Sequence, residues 1–313
     1  MLHQLGFTKV YVVEEQKSPD GTFPTVAYPN PEDEKAWTLA IKLAKEVDAD
    51  IILATEPDAD RLGVYAKDSK TGEYVSFTGN MSGMLIAEYI LRERTKMGTM
   101  PENPALVETI VTTDMAKAIA KDYNVALIEV LTGFKYIGEQ IKLFEENHSH
   151  HYVFGLEESY GCLAGTYARD KDACVAVMML CEVAAYYKKE GKTLWDAMLS
   201  MYEKYGYYKE GLSTLTLKGI DGANQIKQMM EEQRKNPSTE LGEFKVIGVR
   251  DYLKNDTGLP ISNVLYYELE DNAWCCIRPS GTEPKIKFYF GVKGSSLIDA
   301  KEKLDKLEED LTK

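Results

Sequence analysis

Cysteine and histidine are both scarce in this sequence, and neither is arranged as a framework. Cys162, Cys174, Cys181, Cys275 and Cys276 are odd in number and contain no Cys-x-x-Cys pair. Neither a disulfide-stapled scaffold nor a structural zinc site is expected, and the usage fits a reducing, cytoplasmic setting. Of the four histidines, three fall within residues 147–151, between a helical and a strand-like pattern, where a solvated turn accounts for them. Positive charge is also in deficit. Lys and Arg number 37 against 50 Asp and Glu, a formal charge of −13. That excludes nucleic acid as a partner, because binding a polyanion needs a surplus of cations, but it leaves room for one local basic pocket. No charged segment followed by an apolar run opens the sequence, so no secretory signal is read. The longest apolar run, residues 173–181 continuing past Glu182 to Tyr187, is too short and too interrupted to span a bilayer, and no membrane association is expected.

What is present describes an ordinary globular chain of several domains. At 313 residues, 44% hydrophobic and 28% charged, two or three cores are the natural division. Short β-rich runs alternate with amphipathic stretches, the pattern of an α/β layer fold. Residues 9–14 read as a strand. Asn30 reads as a helix N-cap ahead of Pro31, with Trp37, Ala40, Ile41 and Ala44 as an apolar stripe. Strands are expected at 50–55, 105–112, 126–131 and 152–155. Helices are expected at 82–96, 114–123, 136–146 and from Asp172 onward. After about Gly206 the style changes to strands beside one another, at 212–218, 266–269, 272–277 and 285–292, with helices at 222–235 and 295–311. The expected domains are therefore 1–73, 74–205 and 206–313, the last an α+β domain.

Four motifs carry chemistry. Arg278-Pro279-Ser280-Gly281-Thr282-Glu283-Pro284-Lys285 puts a guanidinium, two hydroxyls, an ammonium and a glycine-opened backbone on one turn, a cradle for a phosphate dianion. Pro, Gly and Ser alone would make a hairpin turn; the added Arg, Thr and Lys favour phosphate. Glu56-Pro57-Asp58-Ala59-Asp60-Arg61 follows an apolar strand. Its alternate acids can converge on a hard cation, Mg²⁺ above all, although a solvated acidic turn has the same composition. Gly155-Leu156-Glu157-Glu158-Ser159-Tyr160-Gly161 offers carboxylates and a hydroxyl suited to vicinal sugar hydroxyls, and a capping loop explains it almost as well. Arg169-Asp170-Lys171-Asp172 supplies an N-cap aspartate and a lysine at the mouth of an apolar helix, where a lowered pKa would let it move protons. Thr132-Gly133-Phe134-Lys135 is a parallel case.

Together with Phe23-Pro24-Thr25 and Pro29-Asn30-Pro31-Glu32, these motifs resemble the α-D-phosphohexomutase superfamily, most closely its phosphoglucomutase/phosphopentomutase branch, and do so along the whole chain. The resemblance implies three-layer, mixed-sheet α/β domains followed by a C-terminal α+β domain. It implies a mutase that interconverts a sugar 1-phosphate and a 6- or 5-phosphate of a hexose or pentose, through a phosphoserine and a bisphosphate intermediate. Mg²⁺ would be the cofactor and a sugar 1,6-bisphosphate the activator. By the same resemblance Glu56, Asp58 and Asp60 hold the metal, with Arg61 near the transferring phosphoryl group. Lys171 is the candidate general acid/base. Glu157 and Ser159 hold sugar hydroxyls, helped by Gly133, Phe134 and Lys135. Arg278, Ser280, Gly281 and Thr282 grip the other phosphate, with Lys285 nearby.

Two departures qualify that expectation. The family's Ser-His-Asn-Pro type phosphoserine loop has no counterpart here, so the chain reads as a C-terminal piece that begins inside the second domain and does not turn over alone. Glu56 stands where the family carries Asp, which weakens the fit to octahedral Mg²⁺. A non-catalytic phosphosugar-binding module is the alternative. A haloacid-dehalogenase-like phosphatase using Asp58 or Asp60 ranks lower, because it leaves residues 278–285 unexplained.

Overall fold

The computed structural model describes residues 1–281 and 283–312. Its chain divides into two units, one formed by Met1–Thr112 with Ala116–Met201, the other by Thr113–Met115 with Tyr202–Lys313.

The first unit opens irregularly. The strand expected at residues 9–14 does not form; a single helical turn, α1 (Glu14–Lys17), follows unstructured chain. Tyr11 and Val12 are each more than half exposed, and a β-rich run with no ladder partner and no buried face has nothing to hold it extended. Asn30 does not cap a helix either. Its Oδ1 accepts from the Glu32 amide in a local turn, and Asp33 caps a short 3₁₀ turn that leads into α2 (Thr38–Val47). The apolar stripe does bury: Trp37 and Ala44 form a small core with Ile52 and Tyr65. The Trp37 indole N–H donates to the Pro31 carbonyl at 2.9 Å, and its ring lies flat against Gly63, where any Cβ would collide with it. β1 (Ile51–Thr55), β2 (Leu62–Lys67) and β3 (Tyr74–Phe77) make a three-stranded antiparallel sheet in which Thr55 faces Leu62 across a six-residue loop.

There follow α3 (Gly79–Met97), β4 (Pro104–Thr109), α4 (Met115–Tyr123), β5 (Ala126–Val130), α5 (Phe134–Asn147), β6 (His151–Leu156), β7 (Cys162–Ala164) and α6 (Ala173–Lys189). The sheet order is β5-β4-β6-β7, the first three parallel and the last antiparallel, a mixed sheet. Successive residues of a strand face opposite sides, and β6 shows what covers each. Gly155 lies against Ile137 of α5, while Leu156 lies against Gly83 of α3. Helix, sheet and helix thus form three layers. The Asp172 carboxylate accepts from the amides of Cys174 and Val175, capping α6. α7 (Leu194–Tyr205) carries the division between the units.

The second unit is α+β. β8 (Tyr207–Thr216), α8 (Gly219–Lys235), β9 (Glu240–Leu241), β10 (Phe244–Asp251), β11 (Leu265–Leu269), β12 (Trp274–Pro279), β13 (Lys285–Gly294) and α9 (Leu297–Thr312) give an antiparallel sheet of order β8-β13-β12-β11-β10-β9. Residues of α8 and α9 close its core, among them Met230 and Leu307 against Tyr267, Cys275 and Phe290. Among the described residues, no helix is long and apolar enough to cross a membrane.

Candidate functional site

The acidic loop is the turn of the β1–β2 hairpin. The Ala59 amide donates to the Glu56 carbonyl at 2.9 Å and the Glu56 amide to the Arg61 carbonyl at 3.4 Å. Ala59 takes a left-handed φ of 56°, a conformation that costs a non-glycine residue and is typical of functional loops. The tight turn brings one carboxylate oxygen from each of Glu56, Asp58 and Asp60 within 4.8 Å of one another. Arg61 Nε sits 3.1 Å from Glu56 Oε1 and 3.8 Å from Asp60 Oδ1, with Glu32 Oε1 at 3.7 Å from Nη1.

Backbone hydrogen bonds stitch this loop to two others. The Leu62 amide donates to the Tyr160 carbonyl at 3.1 Å, and Arg61 forms a β-bridge with Gly161. The Ala173 amide donates to the Ala59 carbonyl at 2.9 Å, and the Asp172 amide to the Cys162 carbonyl at 3.0 Å. Backbone hydrogen bonds thus tie residues 56–61, 157–161 and 170–173 together. The first turn of α3 backs the middle loop: a Cβ at Gly79 would collide with the Glu158 carbonyl and the Tyr160 amide. Glu158 turns toward β4, where its Oε2 accepts from Thr109 Oγ1 at 3.3 Å. Its neighbour Glu157 is buried and faces Lys171.

Lys171 lies where the loops meet. Its Nζ is 2.9 Å from Asp60 Oδ2, 3.3 Å from Asp170 Oδ1 and 3.9 Å from Glu157 Oε2, with 13% of the side chain exposed. Its stem lies over Gly161, where a Cβ would collide with Lys171 Cδ, and Nζ is 5.7 Å from the Phe134 ring centroid. The lowered pKa expected for this lysine is not what its surroundings produce. Burial pushes it down, but hydrogen bonding to Asp60 and the charges of Glu157, Asp60 and Asp170 outweigh burial and raise it.

The carboxyls split. Burial, a hydrogen bond donated to Asp60 and the neighbouring charges push Glu56 up to about 7, against the pull of Arg61. Asp60 is also pushed up by burial, yet the hydrogen bonds from Glu56 and Lys171 leave it below its ordinary value. Burial raises Glu157, with Lys171, Arg61 and a hydrogen bond from the Gly133 amide opposing. Gly133, which caps α5 with a φ of 119°, is thus brought to Glu157, and Phe134 to Lys171. Lys135 is not drawn in; its Nζ stands 4.8 Å from the Tyr136 ring centroid. Ser159 is half-buried on the same loop as Glu157.

In the second unit, Arg278 and Pro279 end β12 and Lys285 opens β13, with Pro279 paired to Ile286. The Ser280 amide donates to the Lys285 carbonyl at 2.8 Å and the Glu283 amide to Ser280 Oγ at 3.3 Å. Lys285 pairs with Glu283 at 3.1 Å, Gly281 is exposed and Arg278 is half-buried. Thr282 lies outside the described residues.

Residues 1–71 match the model of phosphoglucomutase/phosphomannomutase alpha/beta/alpha domain II, and residues 78–205 that of domain III. A phosphoglucomutase of Staphylococcus aureus is 35% identical over 316 residues, covering 97% of this chain and 56% of the relative. This chain belongs to the phosphoglucomutase/phosphomannomutase family. It spans about half the length of the curated relatives it matches. Among solved folds, the Paramecium phosphoglucomutase pp63/parafusin has a TM-score of 0.64 at 17% identity, covering 91% of this chain and 49% of that one. A Burkholderia thailandensis phosphoglucomutase/phosphomannomutase family protein has a TM-score of 0.62 at 18% identity, covering 94% and 53%.

Membership of the phosphohexomutase superfamily replaces the haloacid-dehalogenase-like reading, and the mixed α/β layers with a C-terminal sheet domain are the architecture that family resemblance implies. The donor set of this family member also suits a hard cation. Oxygens around Mg²⁺ stand about 3 to 4 Å apart, so the Glu56–Asp58–Asp60 cluster, its oxygens within 4.8 Å of one another, needs only a small contraction. With Glu56 ionised, Asp60 Oδ1 is a buried acceptor without a hydrogen-bond partner among the described residues, which a cation would satisfy. Sequence reasoning read Glu158 with Glu157 as a sugar-facing carboxylate, gave Glu32 and Gly161 no individual role, and passed over Gly79. The flanking glycines were the available signal, because close backbone approach is what excludes a side chain.

Proposed function

We propose that this chain carries the cation, sugar and phosphate sites of a phosphosugar mutase that interconverts sugar 1-phosphates and 6- or 5-phosphates through a phosphoserine and a bisphosphate intermediate. The observation that carries the reading is the stitched assembly of the acidic loop, the Glu157 loop and Lys171. Phosphoryl transfer asks mainly for positioning and charge neutralisation, and these residues supply both. Glu56, Asp58 and Asp60 hold Mg²⁺, which when bound draws charge from the transferring phosphoryl oxygens. Arg61 stands beside it as a second positive centre. Glu157 and Ser159 accept from sugar hydroxyls, and Gly133 and Phe134 shape that end. Lys171 exchanges a proton with the reacting sugar hydroxyl; its raised pKa keeps it protonated at rest, so it enters in the acid form, as a weaker acid than an ordinary lysine.

The Arg278–Lys285 turn binds a phosphate that is not reacting, so that remote binding energy orients the sugar. Among the described residues no carboxylate pairs with Arg278, and its guanidinium fork fits a phosphate bidentately. The sequence contains no Ser-His-Asn-Pro loop, so the proposal assigns the phosphoryl donor to a serine outside these residues, and the chain by itself binds without turning over. That same gap favours the second reading, a phosphosugar-binding module.

Calorimetric titration with glucose 1,6-bisphosphate in the presence of Mg²⁺, beside Arg278→Ala, tests the proposal. Saturable binding that the substitution abolishes is expected. No heat from folded chain at millimolar ligand sinks it. Conversion of glucose 1-phosphate after a phosphoserine-bearing domain is supplied separates the mutase from the binding module.

A further inference from the structure

The Lys171 ammonium already occupies a carboxylate oxygen of the candidate cation site. Nζ is 2.9 Å from Asp60 Oδ2, and the nearest other buried carboxylate, Glu157 Oε2, is 3.9 Å away. The stem is pinned against Gly161, so only the tip of the side chain is free to move between these two and Asp170 Oδ1, which lies 3.3 Å away on an exposed carboxylate. We propose that Lys171 and a divalent cation exclude one another at Asp60, so that filling the acidic cluster hands the ammonium to Glu157 in the sugar loop. This rests on the phosphosugar mutase reading of the same loops and adds a coupling within it: one mobile positive charge is shared between the cation loop and the loop that holds the sugar.

Two effects compete, and their magnitudes decide the sign. A lysine on Asp60 Oδ2 could orient Oδ1 toward a metal, and such outer partners are worth about ten- to a hundredfold in affinity. A divalent ion on Oδ1 would, however, stand about 5 Å from the ammonium on the same carboxylate. At the effective dielectric of about 20 that suits a partly shielded site, this repulsion is worth more than about a thousandfold. Repulsion wins, and it falls about tenfold for each bond length that the ammonium retreats. Glu157 offers it a buried, negatively charged destination that is reached by swinging the amine through roughly one bond length.

The test is free Mn²⁺ measured by electron paramagnetic resonance as the metal is titrated into the 313-residue chain, with no turnover required. Lys171→Met is expected to bind Mn²⁺ at least about tenfold more tightly than the wild type, while Lys171→Arg, which keeps the charge, stays within about threefold. Asp58→Asn in the Lys171→Met background removes the gain, locating the ion at the cluster. Glu157→Gln is expected to weaken binding about threefold or more, because the displaced ammonium loses its destination. Circular dichroism checks folding, and Lys171→Gln replaces the methionine variant if that one does not fold. Saturable binding that is unchanged or weakened in the lysine variants overturns the inference and leaves the cation site standing. A Glu157→Gln chain that binds as tightly as wild type overturns the transfer. Absence of saturable binding in every variant removes the cation site, and the inference with it.

Discussion

Glu56 is the group whose protonation should control the cation site. Burial and its hydrogen bond to Asp60 raise its pKa to about 7, whereas a cation binds only the carboxylate form. The sign follows directly. Below that value the acid is mostly protonated and the cation must expel the proton; above it the ligand is already free. With a pKa of about 7, roughly one chain in eleven has Glu56 ionised at pH 6 and ten in eleven at pH 8, so apparent affinity should rise about tenfold across that interval and level off above it. A glutamate at its ordinary value would give no change there. At pH 7 about half a proton should be released per cation bound, visible as a dependence of the calorimetric heat on the buffer's ionisation enthalpy. Glu56→Gln should bind more weakly and lose the pH dependence. In the cation-free chain the linkage runs the other way. The native state holds a proton that the unfolded chain releases, so Glu56's contribution to stability falls as pH rises from 4.5 toward about 7. A cation affinity that is flat between pH 6 and pH 8 would refute the argument.

Other outcomes are equally specific. Gly161→Ala places a methyl group against the Lys171 stem and should cost about 1–3 kcal/mol in urea unfolding. The same substitution in the Lys171→Ala background should cost much less, and equal costs would count against the packing. Arg278→Ala should weaken phosphosugar binding by about tenfold or more with the midpoint of unfolding unchanged, as expected for a charged hydrogen-bonding group at a turn. Asp172→Ala removes a cap that accepts from two amides and should destabilise the first unit by about 1–2 kcal/mol, read as a shift in denaturation midpoint; no shift would mean the cap contributes nothing measurable.

Short-range physics made much of this chain legible. Asp172 ahead of an apolar run is an N-cap because its side chain meets amides two and three residues on. Trp37, Ala40, Ile41 and Ala44 point one way because of the helical period, and the Pro-Ser-Gly turn at 279–281 joins two strands because those residues suit a hairpin. The family resemblance rested on motifs of this kind, each contiguous in sequence. Long-range pairing decided the rest. Residues 9–14 have strand composition, but a strand exists only if another backbone completes its ladder, and none does among the described residues. β2 and β3, unmarked in the sequence beforehand, form because β1 supplies a ladder for β2 and β2 one for β3. Adjacent Glu157 and Glu158 are indistinguishable as letters, yet packing turns one to Lys171 and the other to Thr109. Above all, the composition around Lys171 suggested an apolar mouth and a depressed pKa, while folding brought Asp60 to within 2.9 Å of its amine. A titratable group answers to the charges nearest in space, and the nearest of these, Asp60, lies more than a hundred residues away along the chain.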